Sequence, residues 1–134
     1  MKNSIGKFMT VKLSYILQSN TGQEAALRMD QDNASVLIVL DSSETPVGVV
    51  TQRDLVRSSC IENVSCNSIH VQDIMSTPIV TVDPYSPVEV AADIMKQNNV
   101  RHLLVVDSDK PNKPLGIISS RDFALYIENE LEEK

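Results

Sequence analysis

Tryptophan is missing from this chain of 134 residues, and its aromatic side chains are only Phe8, Tyr15, Tyr85, Phe123 and Tyr126. Positive charge is also scarce: 12 Lys and Arg stand against 18 Asp and Glu, a formal net charge of −6. Nucleic-acid binding takes much of its affinity from a basic face that releases counterions, and single strands add aromatic stacking. This composition supplies neither, so it argues against DNA or RNA and leaves only a local basic patch for a small anion. No apolar run approaches the ~20 residues of a membrane span. The stretch before Phe8 has no apolar core of the kind a signal peptide needs, so a soluble cytoplasmic protein without a membrane partner is expected. Cysteine is confined to Cys60 and Cys66, which with His70 spell C-x5-C-x3-H. Zinc sites set their cysteines closer and require a fourth ligand, so two unpaired thiols and no metal are expected. Neither G-x4-G-K-[ST] nor G-x-G-x-x-G occurs. No nucleophile–base pair with an orienting third group stands out either, so the expectation is not an enzyme and no required cofactor.

What the chain does contain is a repeat. Slid by 66 residues, 5–41 aligns without a gap on 71–107, so that Met9 meets Met75, Met29 meets Met95, Asn33 meets Asn99 and Asp41 meets Asp107. Slid by 68, 48–55 aligns on 116–123. The change of offset falls in one loop, where length changes are tolerated. A unit of about 60 residues makes a marginal core alone, and two related units packed about a pseudo-two-fold axis would share one.

Each copy reads as strand, helix, strand, strand, helix. In the second, 79–82 is a β-branched run bounded by prolines, and Ser86 before Pro87 signals a helix start. Val88, Ala91, Ala92 and Met95 recur at helical spacing, Asn98-Asn99 closes that helix, and 103–106 and 115–118 are strands. A last helix opens at Ser119 and is expected to end near Ile127. The first copy repeats this with strands at 13–16, 36–40 and 47–50. Its helices start at Thr21-Gly22-Gln23-Glu24 and Thr51-Gln52-Arg53-Asp54. The Arg28 position, matching Ile94, makes its first helix less cleanly amphipathic. The expected division is repeat 1 at 1–60, a linker at 61–70, repeat 2 at 71–128 and an acidic C-terminal tail at 129–134.

Both copies carry G-h-h-[ST]-x-x-D where a strand meets a helix: Gly48 to Asp54 and Gly116 to Asp122. Thr51 with Asp54, and Ser119 with Asp122, have the spacing of a capping box. The same atoms suit a ligand. Free N–H groups at a helix start and a hydroxyl favour phosphate, while a carboxylate one turn in can accept from both hydroxyls of a ribose.

The chain resembles a tandem pair of CBS domains, the module named after cystathionine β-synthase and also called a Bateman module. The resemblance rests on Met75-Ser76-Thr77-Pro78-Ile79-Val80-Thr81-Val82, on Val100-Arg101-His102-Leu103-Leu104-Val105-Val106-Asp107 and on Gly116-Ile117-Ile118-Ser119-Ser120-Arg121-Asp122-Phe123. These three blocks occur in order and twice, over about residues 5–127. It implies an α+β fold of two β-α-β-β-α repeats and a regulatory, signal-transducing module. It implies an adenosine nucleotide or adenosyl ligand (AMP, ADP, ATP or S-adenosylmethionine) bound in clefts between the repeats. It further implies a homodimer of such pairs and an unknown effector protein. Carried over by position, the favoured cleft comprises Thr10, Lys12, Leu13, Ser14, Ala34, Arg101, His102, Ser119, Arg121 and Asp122. Asp122 would hold the ribose and Ser119 the phosphate end. The weaker cleft comprises Thr51, Arg53, Asp54, Thr77, Pro78, Ile79, Val80 and Val100. It has Ser35 and Val36 in place of Arg101 and His102, and so brings less charge to a phosphate. Lys12 stands where the family favours proline, as at Pro78. The alternative reading is a dimerisation or partner-docking module that keeps the cap geometry and binds no nucleotide.

Overall fold

In both copies the first helix is set by its ends and by one apolar stripe. The computed structural model describes residues 3–132, which divide into two compact units, one from 13–79 and one from 3–12 together with 80–132. In the first unit, strand β1 (Tyr15–Leu17) leads to helix α1 (Gly22–Asp32), which starts at a capping box. The Thr21 hydroxyl accepts from Glu24 N–H at 3.1 Å and the Glu24 carboxylate accepts from Thr21 N–H at 2.9 Å. Asn33 ends the helix in the left-handed region (φ 52°), a conformation asparagine tolerates. Ala25 and Met29 face inward, while Arg28 lies on the exposed side.

Strands β2 (Val36–Leu40) and β3 (Pro46–Thr51) form the hairpin. The sheet order is β1-β2-β3, with β1 parallel to β2 and β2 antiparallel to β3. A parallel pair needs a crossover, and α1 provides it. Helix α2 (Gln52–Val56) continues into a π-helical turn (Arg57–Ile61), and a short helix α3 (Val71–Ile74) follows. Ile16, Ala25, Met29, Leu37, Val39, Val50, Leu55 and Val71 make the core.

The second unit repeats this topology. Strand β4 (Thr81–Val82), helix α4 (Val88–Asn98), strands β5 (His102–Val106) and β6 (Pro114–Ser119) and helix α5 (Ser120–Glu132) follow in order. β4 runs parallel to β5 and β5 antiparallel to β6. Ile5, Val82, Ala91, Met95, Leu103, Val105 and Ile118 form its core, with Ile94 packed against it in the place where Arg28 faces solvent.

The short lead-in before each sequence repeat completes the unit of the other repeat. Residues 3–12, containing a 3-10 turn (Ile5–Lys7), bond to the second unit. Ile5 N–H donates to Ser86 O, Gly6 N–H to Pro84 O, and Asn3 O accepts from Val88 N–H, each at 2.9 Å. At the matching places of the first unit, Val71 N–H donates to Asn20 O, Gln72 N–H to Gln18 O, and Ile69 O accepts from Gly22 N–H, at 2.8–3.0 Å. Ile5 and Val71, equivalent in the repeat, are both fully buried.

Four local expectations change. β1 is Tyr15–Leu17 rather than 13–16. β4 is only two residues long, although Val80 O, just before it, still accepts from Leu104 N–H at 2.9 Å. Helix α4 starts after Pro87 rather than at it, and Ser86 makes no side-chain cap. The main chain of the lead-in does that work instead, since Asn3 O takes the Val88 N–H. Helix α5 runs through Ile127 to Glu132. Its sequence from Phe123 onward has strong helix formers and neither Gly nor Pro, so nothing stops it at 127. The expected acidic tail is therefore helical through Glu132, and residues 133–134 lie outside the described residues.

Candidate functional site

The two G-h-h-[ST]-x-x-D motifs sit where β3 enters α2 and where β6 enters α5. In the first, Thr51 and Asp54 close a reciprocal cap. The Asp54 Oδ2 accepts from Thr51 N–H at 2.8 Å and from the Thr51 hydroxyl at 3.0 Å, while Asp54 N–H donates to Thr51 Oγ1 at 3.2 Å. In the second, Asp122 Oδ2 accepts from Ser119 N–H at 2.9 Å and from its hydroxyl at 3.1 Å, and Asp122 N–H donates to Ser119 Oγ at 3.3 Å. Both carboxylates spend Oδ2 on the cap, and Oδ1 takes none of these bonds. The capping geometry expected from the sequence is present, and it occupies one half of each carboxylate.

The glycine of each motif makes room for a lead-in strand. Ser76 and Val49 exchange both backbone bonds, at 2.8 and 3.2 Å, and a Cβ on Gly48 would stand 2.5 Å from Ser76 O. Thr10 and Ile117 exchange the same pair at 2.8 and 3.0 Å, and a Cβ on Gly116 would stand 2.8 Å from Thr10 O and 2.6 Å from Met9 Sδ. Thr77 and Pro78, joined by a cis peptide bond, follow Ser76 directly; Val11 and Lys12 hold the same positions after Thr10. These lead-in carbonyls were not singled out in the sequence, although the repeated glycines are a signal for such a close approach.

A third segment reaches each motif from the start of the central strand. Ser120 N–H donates to Arg101 O at 3.0 Å, and His102 faces Ser119 across the β5–β6 ladder. Gln52 N–H donates to Ser35 O at 3.0 Å, and Val36 faces Thr51. The unit of 3–12 and 80–132 thus gathers Thr10, Lys12, Arg101, His102, Ser119, Arg121 and Asp122. Lys12, Arg101 and Arg121 are exposed, and Ser119 and Asp122 are half-buried. The unit of 13–79 gathers Thr51, Arg53, Asp54, Thr77, Pro78 and Ile79, with Arg53 its matching cation. Leu13, Ser14 and Ala34, expected with Asp122, belong to the unit of 13–79. Val80 and Val100, expected with Asp54, belong to the other. Ala34 and Val100 close the C-terminal turns of α1 and α4 by donating to Met29 O and Met95 O, and both pack on their unit's core.

Three groups away from the motifs titrate off their ordinary values. Glu24 is held below the ordinary carboxylate value, first by the Thr21 N–H and then by the Asn20 and Thr21 side chains. Glu89 is held low chiefly by the Tyr126 hydroxyl, which donates to it at 2.8 Å. Burial raises Tyr15. Cys60 and Cys66 are free thiols, and no group of three His, Cys, Asp or Glu side chains among the described residues is placed to hold a metal ion. Among the described residues no helix is long and apolar enough to cross a membrane.

Comparison with known proteins gives consistent results. The family model for the CBS domain matches residues 5–60 and 71–129. An uncharacterized 17.7 kDa protein of Acidianus ambivalens is 32% identical over 124 residues, covering 92% of this chain and 73% of that protein. The chain spans little more than half the length of two other relatives that it matches. The hexameric CBS-CP12 protein from bloom-forming cyanobacteria superposes with a TM-score of 0.80 at 28% identity, over 97% of this chain and 80% of that one. A CBS domain protein from Pyrobaculum aerophilum, complexed with AMP, gives a TM-score of 0.77 at 23% identity over 98% and 99% of the two chains, a likeness of fold.

Proposed function

The chain belongs to the CBS-domain family, and we propose that it is a regulatory module that binds an adenosine nucleotide or another adenosyl ligand at its strand-to-helix motifs. The observation that carries this reading is the duplicated cap in which Asp54 and Asp122 each commit only Oδ2. A ribose diol can donate both hydroxyls to the remaining face of such a carboxylate without breaking the cap. Ser119 begins the 13-residue α5, whose N-terminal end favours a phosphate; its hydroxyl can donate to that phosphate only by turning away from Asp122 Oδ2. Arg101, His102, Arg121 and Lys12 add cationic or polar donors there, which suits AMP, ADP or ATP. The Thr51–Asp54 motif brings Arg53 as its cation and suits an adenosyl group without phosphate, such as S-adenosylmethionine. The AMP complex of the Pyrobaculum aerophilum protein, which shares the fold, supports this ligand class.

Signalling follows from differential affinity. A ligand shifts the population towards the conformation it binds better, by no more than that difference. In this reading the output passes to an effector protein in the cytoplasm, through a homodimer of CBS pairs. The test is a thermal-shift panel of AMP, ADP, ATP and S-adenosylmethionine on the full chain. A ligand at ~100 times its Kd stabilises by about 2.7 kcal/mol, which raises Tm by roughly 5–10 °C at this size. A shift from none of the four overturns the reading.

A further inference from the structure

Two thiols stand in the segment between α2 and α3, and the function proposed above uses neither. Cys60 is exposed on the π-helical turn, and Cys66 is half-buried in the loop that follows. That loop doubles back on the turn: Glu62 N–H donates to Arg57 O and Val64 N–H to Ser58 O, each at 2.9 Å. Ser58 itself is 3% exposed and anchors the turn. The doubling back sets Cys66 Sγ 2.8 Å from the Oγ of Ser59, the residue next to Cys60. We propose that Cys60 and Cys66 are a thiol-redox modification site that closes reversibly into a disulfide.

Ser59 occupies the place that a bonding partner of Cys66 must take, and Cys60 is one position away. A π turn holds one residue more than an α turn, so its register can shift by one residue. Closure requires the shift in the direction that brings Cys60 to the place of Ser59, where an S–S bond of about 2.05 Å can form. The chemistry needs a two-electron oxidant, and a small-molecule disulfide such as oxidised glutathione supplies it. The exposed Cys60, as thiolate, attacks one glutathione sulfur and expels a glutathione thiolate, which takes up the proton Cys60 lost. The Cys66 thiolate then attacks Cys60 sulfur and expels the second glutathione, protonated in turn. The protein dithiol is oxidised, and one glutathione disulfide becomes two thiols.

The bond reaches both ends of the first unit's helical layer. The π turn extends α2, which carries Asp54. Cys66 O accepts from Gln23 N–H at 3.1 Å in the first turn of α1, and the same oxygen lies 3.1 Å from where a Cβ on Gly22 would stand.

The experiment is intact-mass and non-reducing peptide mapping of the native full chain after incubation with oxidised glutathione. The expected product has lost two hydrogens, carries no glutathione, contains a Cys60–Cys66 cross-linked peptide and reverts with dithiothreitol. Cys66→Ser should stop at one glutathione on Cys60, and Cys60→Ser should react on the order of tenfold more slowly. A persistent glutathione adduct on the unsubstituted chain overturns the proposal, as do chain-to-chain disulfides or two thiols that stay unreacted. The readout on the unsubstituted chain does not depend on how either variant folds or on the ligand reading.

Discussion

The two units share one set of main-chain bonds and differ in what surrounds it. Lead-in to helix, lead-in to strand, and strand start to helix start are joined by the same main-chain bonds in both units, residue for residue. Side chains and helix lengths diverge around that frame. Helix α1 has a capping box while α4 has no side-chain cap at its start. α2 is five residues followed by a π turn, whereas α5 is 13 residues. Ser35 and Val36 stand where the second unit has Arg101 and His102. A duplicated unit cannot easily alter contacts made backbone to backbone, because a change on one strand leaves a buried N–H or C=O unpaired on the other. It can alter side chains at the rim of a site, and there the two copies have parted.

The largest effect should come from the lead-ins. Ile5→Ala should cost about 3–4 kcal/mol and Val71→Ala about 2–3 kcal/mol, since both side chains are fully buried and isoleucine loses more. Denaturant unfolding measures both, and a negligible cost for Ile5→Ala would mean that residues 3–12 do not complete the second unit. Next come the motif glycines. Gly48→Ala meets a backbone oxygen at 2.5 Å and should cost about 3 kcal/mol. Gly116→Ala should cost about 1–2 kcal/mol, because the sulfur of Met9 can move away and Thr10 O is farther. Equal costs would break that asymmetry.

Binding sharpens the comparison at its rim. Asp122→Asn keeps an acceptor for the cap and removes the charge that a ribose would use. Calorimetric titration with AMP should show a loss of about 10- to 100-fold, and Asp54→Asn a smaller one. Equal losses would refute the ranking of the two motifs. The smallest effect is one of pH. The lowered value of Glu89 contributes stability at pH above the ordinary carboxylate value, and that contribution fades as pH falls through the lowered value. Tyr126→Phe removes the hydroxyl that lowers it, so the gap in Tm between this variant and the parent should narrow as acid is added. A gap that widened would contradict the bond.

The duplication, the order of elements and the cap at each motif were legible in the sequence because each has a local signature. Thr51 and Asp54 carry their spacing, Asn98-Asn99 the end of a helix, and Val88 to Met95 their helical stripe. The destination of the lead-ins was not legible in the same way. Asn3, Pro84 and Ser86 contribute carbonyl oxygens, which every residue has, so no side chain marks the contact. Gly48 and Gly116 were read as part of a helix-start motif, although their lack of a Cβ also reported the neighbouring strand. Helix α5 runs past its expected end near Ile127 because the glutamates that follow are good helix formers.

The exchange of lead-ins also sets a timetable for a chain made from its N-terminus. The unit of 13–79 has all its parts once residue 79 has left the ribosome. Residues 3–12 emerge earlier than any of these, yet their bonding partners include Val88 and Ile117. Residues 3–12, made before the unit of 13–79, are therefore placed only after it, and they must stay unpaired, with Ile5 bare, while their host unit is still being synthesised.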